Sequence, residues 1–141
     1  MIQVILGDKG TGKTKRLIDL TNEALKQEHG NIIFIDDDKR YMYDLRHEIR
    51  FVDASEYPAA YKCEAREFLA FLCGMLSADF DLSLVTVDAF KKLVKTELDT
   101  EEMRKFFEQL EQLSAKHSCN FVISVSGSEN EVPAFIQKYA L

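Results

Sequence analysis

Residues 7–14 combine closely spaced glycines with a lysine and a threonine, a spacing that suits phosphate chemistry. They match the pattern G-x-x-x-x-G-K-[ST] at every fixed position. Glycines let a backbone wrap so that successive N–H groups point at phosphate oxygens, and a following helix adds its positive dipole end. We therefore predict a phosphate-binding loop made of Gly7, Asp8, Lys9, Gly10, Thr11, Gly12, Lys13 and Thr14.

Two residues of this loop have side chains suited to a nucleoside triphosphate with its metal. Lys13 is expected to neutralise charge on the β- and γ-phosphates, and the Thr14 hydroxyl is expected to ligate Mg²⁺. Such a metal needs a second, acidic partner at the end of a nearby buried strand. Asp88 directly follows the apolar run 82–87 and is the candidate. An alternative role for Asp88 is to cap the turn that follows it.

A catalytic base is less evident in the sequence. Ala89 occupies the position after Asp88, where an acid often polarises the attacking water. The acidic run Asp36, Asp37 and Asp38 ends another apolar segment, and we nominate Asp36 as the candidate catalytic base, with Glu56 a more remote one. The same run is also compatible with solvated loop acids, one of which caps a turn.

Short β-branched and apolar runs alternate with helical patterns along the chain. Strands are predicted at 2–6, 31–35, 50–53, 82–87 and 120–125. Helices are predicted from Lys13 to a stop at His29-Gly30, over 61–77, up to about His117 behind an Asp99/Glu102 capping box, and over 132–139. Buried strands that alternate with helices favour an α/β fold in three αβα layers around a mostly parallel, five-stranded sheet. We expect one nucleotide-binding domain over residues 1–141.

Composition excludes several function classes. Eighteen Lys and Arg against 24 Asp and Glu give a net charge of −6, which opposes binding to nucleic acid. The apolar runs are too short to cross a membrane and the N-terminus lacks a signal sequence, so we expect no membrane and a cytoplasmic location. The three cysteines lack metal or disulfide spacing and are interpreted as core residues.

The chain resembles the P-loop NTPase superfamily in its glycine-rich loop, in Asp88 and in the late strand 121–125, which has Ser124 and Ser126 at its end. The resemblance is closest to the RecA-like, additional-strand branch, and it implies ATP and Mg²⁺ as ligands. It also implies that the late strand lies between the loop strand and the Asp88 strand, where its serines could sense the γ-phosphate. The chain is further similar to small bacterial ATP-binding proteins sometimes labelled twitching-motility ATPases, although it has no space for the additional motifs of a retraction motor.

Three functions remain open on the sequence. The first is a slow Mg²⁺-dependent ATPase that acts as a switch or as a subunit, with a protein partner or a second copy of the chain. The second is a small-molecule or nucleoside phosphotransferase, and the third is a nucleotide-dependent interaction module in which a ligand orders residues 36–58. The lack of an Asn-Lys-x-Asp motif favours ATP over GTP. The candidates for an arginine finger are Arg40, Arg46, Arg50, Arg66 and Arg104. The candidates for an aromatic ring that stacks on the nucleotide base are Tyr41 and Tyr139.

Overall fold

The computed structural model describes residues 1–27 and 29–141, and its centre is one five-stranded sheet. The strands are β1 (Ile2–Gly7), β2 (Asn31–Asp36), β3 (Arg50–Asp53), β4 (Leu82–Val87) and β5 (Asn120–Ser126). Their order is β1-β5-β4-β2-β3 and every pairing is parallel. All carboxyl ends therefore lie at the same edge of the sheet, which is the edge where ligands bind in open α/β folds.

The position of β5 confirms the predicted strand order. On one side Gly7 of β1 is in register with Ser126, and on the other Val87 of β4 is in register with Ile123. The late strand thus separates the loop strand from the Asp88 strand. The short strand 50–53 is also confirmed, as an edge strand beside β2.

Helices cover both faces of the sheet, as the alternating pattern predicts. They are α1 (Lys13–Ala24), α2 (Ala65–Ala78), α3 (Phe90–Leu93), α4 (Glu101–His117) and α5 (Ala134–Gln137). Neighbouring strand residues alternate between two cores: Ile5 and Phe34 pack on the α1 side, whereas Val4 and Ile35 pack on the side of α2, α4 and α5. This alternation has the period of two that a strand imposes on its side chains. The result is the expected three-layer architecture.

Aromatic packing anchors the short helix α3 that follows Asp88. The buried Phe90 ring lies with its centroid 6.0 Å from that of Phe68 and 5.5 Å from that of Phe106. Such ring pairs contribute roughly 0.5–1.5 kcal/mol each beyond their burial. The segment after β4 is therefore fixed to the larger core two residues beyond the candidate metal acid.

Two helix starts differ from the sequence prediction. The second helix begins at Ala65 and not near Tyr61, because Cys63 is held in an extended bridge to Val94 and Glu64 forms a reciprocal capping box with Glu67. The cap of α4 is Thr100, whose hydroxyl accepts the Met103 N–H at 3.2 Å, so the predicted Asp99/Glu102 box is wrong. The N-cap of α4 thus lies one residue beyond the predicted Asp99, and the N-cap of α2, Glu64, lies three residues beyond Tyr61.

Other differences concern helix ends. Helix α1 ends at Ala24, earlier than the predicted stop at His29-Gly30. The chain then forms tight turns as far as Gln27. The terminal helix is limited to Ala134–Gln137, because the residues after it pair with β1. The Val4 N–H donates to the Tyr139 carbonyl, and the Leu141 N–H donates to the Val4 carbonyl. Cys63 and Cys119 are buried and Cys73 is half-buried. No helix in residues 1–27 and 29–141 combines the length and apolar character that crossing a bilayer requires.

Candidate phosphate-binding site

The glycine-rich segment forms an open loop between β1 and α1. Gly10 and Gly12 adopt φ angles of +85° and +83°, in the left-handed region that only glycine occupies without steric cost. An ideal Cβ at either residue would meet no atom within 4 Å, so the glycines are needed for backbone conformation and leave the space above the loop open.

The loop closes around a single carbonyl. The Asp8 carbonyl oxygen accepts the Thr11 N–H at 3.2 Å, the Thr11 hydroxyl at 2.6 Å and the Lys13 ammonium at 2.8 Å. Lys13 therefore already lies across the loop, with its positive charge beside the amides that would face a phosphate. The contacts from Thr11 fix the backbone of the loop, and the Lys13 contact is one that a phosphate oxygen could replace.

Helix α1 begins directly after the loop, and no side chain of its N-cap residue accepts a hydrogen bond from the first turn. The N-cap is Gly12, which has no side chain to accept the orphan amides of the first turn, and that turn contains no acidic residue. Free N–H groups and the positive end of the helix dipole attract anions. The local sequence thus leaves these donors for a ligand.

Thr14 and Asp88 meet at the mouth of the loop, although they are 74 residues apart in sequence. The Thr14 hydroxyl donates to Asp88 Oδ2 at 2.9 Å, and Asp88 is only 4% exposed. Its other oxygen, Oδ1, accepts the Ser124 hydroxyl at 2.7 Å, and Ser124 in turn accepts the Ala89 N–H at 3.1 Å. Both carboxylate oxygens are therefore oriented by hydroxyl groups.

The alternative role of Asp88 as a helix cap is wrong. The N-cap of α3 is Ala89, and no side chain caps that helix. Ala89 itself adopts φ +55°, a left-handed conformation that is unfavourable for a residue with a Cβ. The strained residue turns the chain sharply after β4, which leaves the Asp88 carboxylate directed at Thr14 and Ser124.

A cavity of about 830 Å³ opens over the loop and extends along α1 as far as Asn22 and Asp44. Its volume lies within the range typical of small-molecule sites. Its wall contains six basic residues and three acidic ones, although the whole chain has a net charge of −6. These are Lys9, Lys13, Lys15, Arg40, Lys91 and Lys92, and Asp19, Asp44 and Asp88. The local surplus of positive charge favours an anionic ligand.

Asp36 ends β2 as an almost completely buried carboxyl. It is 1% exposed, its Oδ1 accepts the Asp37 N–H at 2.8 Å, and its Oδ2 has no hydrogen-bond partner in the described part of the chain. Burial, as the largest cause, and the neighbouring carboxyl groups of Asp37 and Asp88 together raise the pKa of Asp36 to about 8. The surroundings of Asp36 therefore favour its protonated form at neutral pH.

The remaining acids of this region differ from Asp36. The Asp37 carboxylate lies 3.8 Å from the Lys92 ammonium, and Asp38 pairs with Arg40, whose guanidinium holds the pKa of Asp38 below its usual range. Glu56 is an exposed partner of Lys39. The interpretation of residues 36–38 as solvated loop acids is thus wrong for Asp36 and apt for Asp38.

The structure separates the candidate aromatic and arginine residues. Tyr41 lines the cavity, whereas Tyr139 stacks on Phe107 at 5.9 Å and donates a hydrogen bond to Glu111, which excludes it as a base-stacking ring. Of the five candidate arginines, Arg40 alone lines this cavity within the described residues. The sequence offered no basis for that choice, because it depends on how the segment after β2 folds back toward α1.

The comparisons with known proteins agree with this architecture. No protein-family model matches the chain, and no curated protein matches it in sequence. Among solved structures, a KaiC-like protein from the hyperthermophilic archaeon Pyrococcus horikoshii OT3 superposes with a TM-score of 0.65 at 14% identity. The match covers 98% of this chain and 68% of that chain. At this identity the likeness concerns the fold.

The fold and the site together define a class. The chain has a RecA-like α/β fold, with a glycine-rich loop and a buried acid at the carboxyl edge of an all-parallel sheet. The particular likeness is to the KaiC-like protein named above.

Proposed function

We propose that this chain binds ATP with Mg²⁺ through residues 7–14 and hydrolyses it slowly, as one nucleotide-binding domain that serves as a switch or as a subunit of a larger assembly. The observation that carries the proposal is the 2.9 Å contact between Thr14 and Asp88. This contact joins the glycine-rich loop to Asp88, whose two carboxylate oxygens accept hydrogen bonds from the Thr14 and Ser124 hydroxyl groups. The positive cavity wall supports an anionic ligand.

The donor set suits magnesium. Mg²⁺ prefers oxygen ligands and usually takes one or two from the protein while it keeps waters and substrate phosphates. Thr14 and Asp88 would supply those protein oxygens. The described residues contain no group of three or more His, Cys, Asp or Glu side chains that could hold a metal ion. In this proposal the metal therefore binds together with the nucleotide, whose phosphates supply further oxygen ligands.

Each loop residue has a distinct task in this proposal. Backbone amides of the loop and of the first turn of α1 would hold phosphate oxygens, and the Lys13 ammonium, which contacts the Asp8 carbonyl, would neutralise charge on the β- and γ-phosphates. Bound Mg²⁺-ATP supplies an electrophilic γ-phosphoryl group. Ser124 keeps the Asp88 carboxylate in a fixed orientation through its 2.7 Å hydrogen bond.

Slow turnover follows from the state of the nominated base. Asp36 would accept the proton of the attacking water, but with a pKa of about 8 it is mostly protonated at neutral pH. Ala89, at the alternative position, has no acidic group. General-base assistance typically contributes about 10²–10⁴-fold, and a base with a pKa one unit above the working pH is ionised in about a tenth of the molecules, which lowers that contribution about tenfold.

A second candidate, a phosphotransferase, is favoured by the extent of the cavity. The cavity continues beyond the loop to Asn22, Arg40 and Tyr41, which leaves room for a phosphoryl acceptor as well as for phosphates. ADP formation with and without nucleosides as acceptors separates the two candidates. An ATPase forms ADP at the same rate in both cases, whereas a phosphotransferase forms it faster with its acceptor and yields a phosphorylated product.

The similarity to small bacterial ATP-binding proteins enters this proposal only as ATP binding. The motor activity that the twitching-motility label suggests is not part of it. ATP is preferred to GTP because the sequence has no Asn-Lys-x-Asp motif.

Calorimetric titration with Mg²⁺-ATP tests the binding claim. Lys13→Ala removes a charge-assisted contact worth about 1.5–3 kcal/mol, so the dissociation constant should rise at least about tenfold. Lys26→Ala is the matched control, because Lys26 pairs with Glu23 at the far end of the same helix region. Equal affinity of the wild type and Lys13→Ala would contradict the assignment of Lys13.

A further inference from the structure

We propose that Arg40 contacts the γ-phosphate of the bound nucleotide within the same chain and stabilises the charge that develops during phosphoryl transfer. This inference rests on the proposed function. It gives the slow site an intrinsic arginine, whereas many related enzymes depend on a second protein or subunit for that charge.

The strand order places the segment that carries Arg40 next to the candidate metal acid. Strands β2 and β4 are neighbours, and the Asp88 N–H donates to the Ile35 carbonyl at 2.8 Å, which fixes the two strand ends to each other. The segment after Asp36 therefore starts beside Asp88, on the side opposite β5 and the glycine-rich loop. From there Arg40 lines the same cavity as Lys13 and Thr14.

The connection that carries Arg40 is attached to helix α1. The Asn22 side chain donates to the Asp44 carbonyl at 3.0 Å and accepts the Arg46 N–H at 2.9 Å. Leu45 and Ile49 of the same connection are buried in the core on the α1 face. Because α1 begins at the phosphate-binding loop, the wall that holds Arg40 and the loop are parts of one packed unit.

The guanidinium group is already oriented in the absence of ligand. Its Nη2 donates to Asp38 Oδ2 at 2.8 Å, and the Arg40 backbone N–H donates to Asp38 Oδ1 at 2.9 Å. Its Cζ lies 5.5 Å from the centre of the Tyr41 ring. Because Asp38 and the Tyr41 ring already contact the planar guanidinium of Arg40, this group loses little conformational freedom when it binds a further partner.

The chemistry of arginine fits a shared role. A guanidinium has five N–H donors, so it can keep its contact with Asp38 while other donors bind phosphate oxygens. Lys92 lies on the same wall and is held near Asp37, 3.8 Å from its carboxylate. In phosphoryl transfer the transition state spreads charge over the γ-phosphate oxygens, and a cation placed there accelerates the reaction without forming a covalent bond.

Single-turnover hydrolysis and nucleotide affinity, measured together, test this role. Arg40→Ala should lower the hydrolysis rate at least about 100-fold, because arginines at this position in phosphoryl transfer contribute about 10³–10⁵-fold. The affinity for Mg²⁺-ADP should stay within about twofold, since ADP lacks the γ-phosphate. Arg40→Lys should recover only part of the rate, and Arg46→Ala, on the same connection but outside the cavity wall, is the matched control.

A second readout does not depend on turnover. Aluminium fluoride with Mg²⁺-ADP mimics the transferring phosphoryl group, and Arg40→Ala should weaken this complex by a factor similar to the rate loss. Unchanged rate and unchanged aluminium fluoride affinity in Arg40→Ala would overturn the role of Arg40, and an equal loss of Mg²⁺-ADP affinity would show a structural role instead. If the wild type binds no Mg²⁺-ATP, the proposed function itself fails, which the calorimetric titration detects separately.

Discussion

Two aspartates at the ends of neighbouring parallel strands have opposite surroundings. Asp88 directly follows β4 and Asp36 is the last residue of β2, and they are 4% and 1% exposed. Both oxygens of Asp88 accept hydroxyl hydrogen bonds, from Thr14 and Ser124. Asp36 has one contact, to the Asp37 amide, and one oxygen without a partner in the described residues.

This difference shows how one sheet edge can provide two kinds of carboxyl group. Hydrogen-bond donors on both oxygens fix an orientation, which suits a residue that must hold a metal. Burial with few donors favours the neutral acid, which suits a residue that exchanges a proton when its surroundings change. Within the function proposed above, we propose that Asp88 binds the metal and that Asp36 transfers the proton.

The largest effect is expected at Asp88. Asp88→Asn keeps the shape of the side chain but removes its negative charge, so Mg²⁺-dependent ATP turnover should fall at least about 100-fold. The exposed Asp99→Asn serves as the control. Turnover of Asp88→Asn at a rate within threefold of the wild type would remove Asp88 from the site and end the contrast between the two acids.

The next effect concerns Asp36 as a base. Its pKa of about 8 predicts that kcat/KM rises with pH and levels off above about pH 8, because only the ionised carboxylate accepts a proton. Asp36→Asn should lose this pH dependence and about 10²–10⁴-fold of the rate at pH 9. The exposed Asp99→Asn, which has no contact with Asp36, is again the control. A pH profile that is the same in the wild type and in Asp36→Asn would show that another group is the base.

The smallest effect is on stability and does not require a ligand. The pKa of Asp36 is about 8 in the folded chain against 3.8 in its usual range, so its favourable contribution is complete below about pH 4 and is lost as the pH rises through 8. Asp36→Asn, which is always neutral, should therefore gain in Tm relative to the wild type between pH 5 and pH 9. A Tm difference that does not change with pH would contradict the raised pKa.

Much of the fold could be predicted because its signals are local. The loop 7–14, the apolar strand runs and the helical stripes are each contained in a few consecutive residues, and the alternation of strands and helices then favours parallel pairing. The order of β5 between β1 and β4 came from a resemblance that rests on polar residues at a strand end, and the structure confirms it. The helix caps were less predictable, because Thr100 and Asp99 are adjacent and both residue types are good caps.

The contacts of the site were harder to predict because they join distant segments. Asp36 lies in an acidic run that is typical of an exposed loop, yet it is still paired in the sheet with Asp53 of β3 and is 1% exposed. Ser124 and Ser126 fit either γ-phosphate sensing or the polar end of a strand, and the contact of Ser124 with Asp88 depends on the register of β4 and β5. Arg40 is one of five arginines in the candidate set, and its place in the cavity follows from the attachment of its connection to α1.

The most direct test of the central claim is a crystal structure with a nonhydrolysable ATP analogue and Mg²⁺. We expect the phosphates to lie in the loop 7–14, Mg²⁺ to be bound by the Thr14 hydroxyl and held by Asp88 directly or through water, and the γ-phosphate to face Asp36. A nucleotide bound away from the loop, or a metal that contacts neither Thr14 nor the Asp88 carboxylate, would contradict the account.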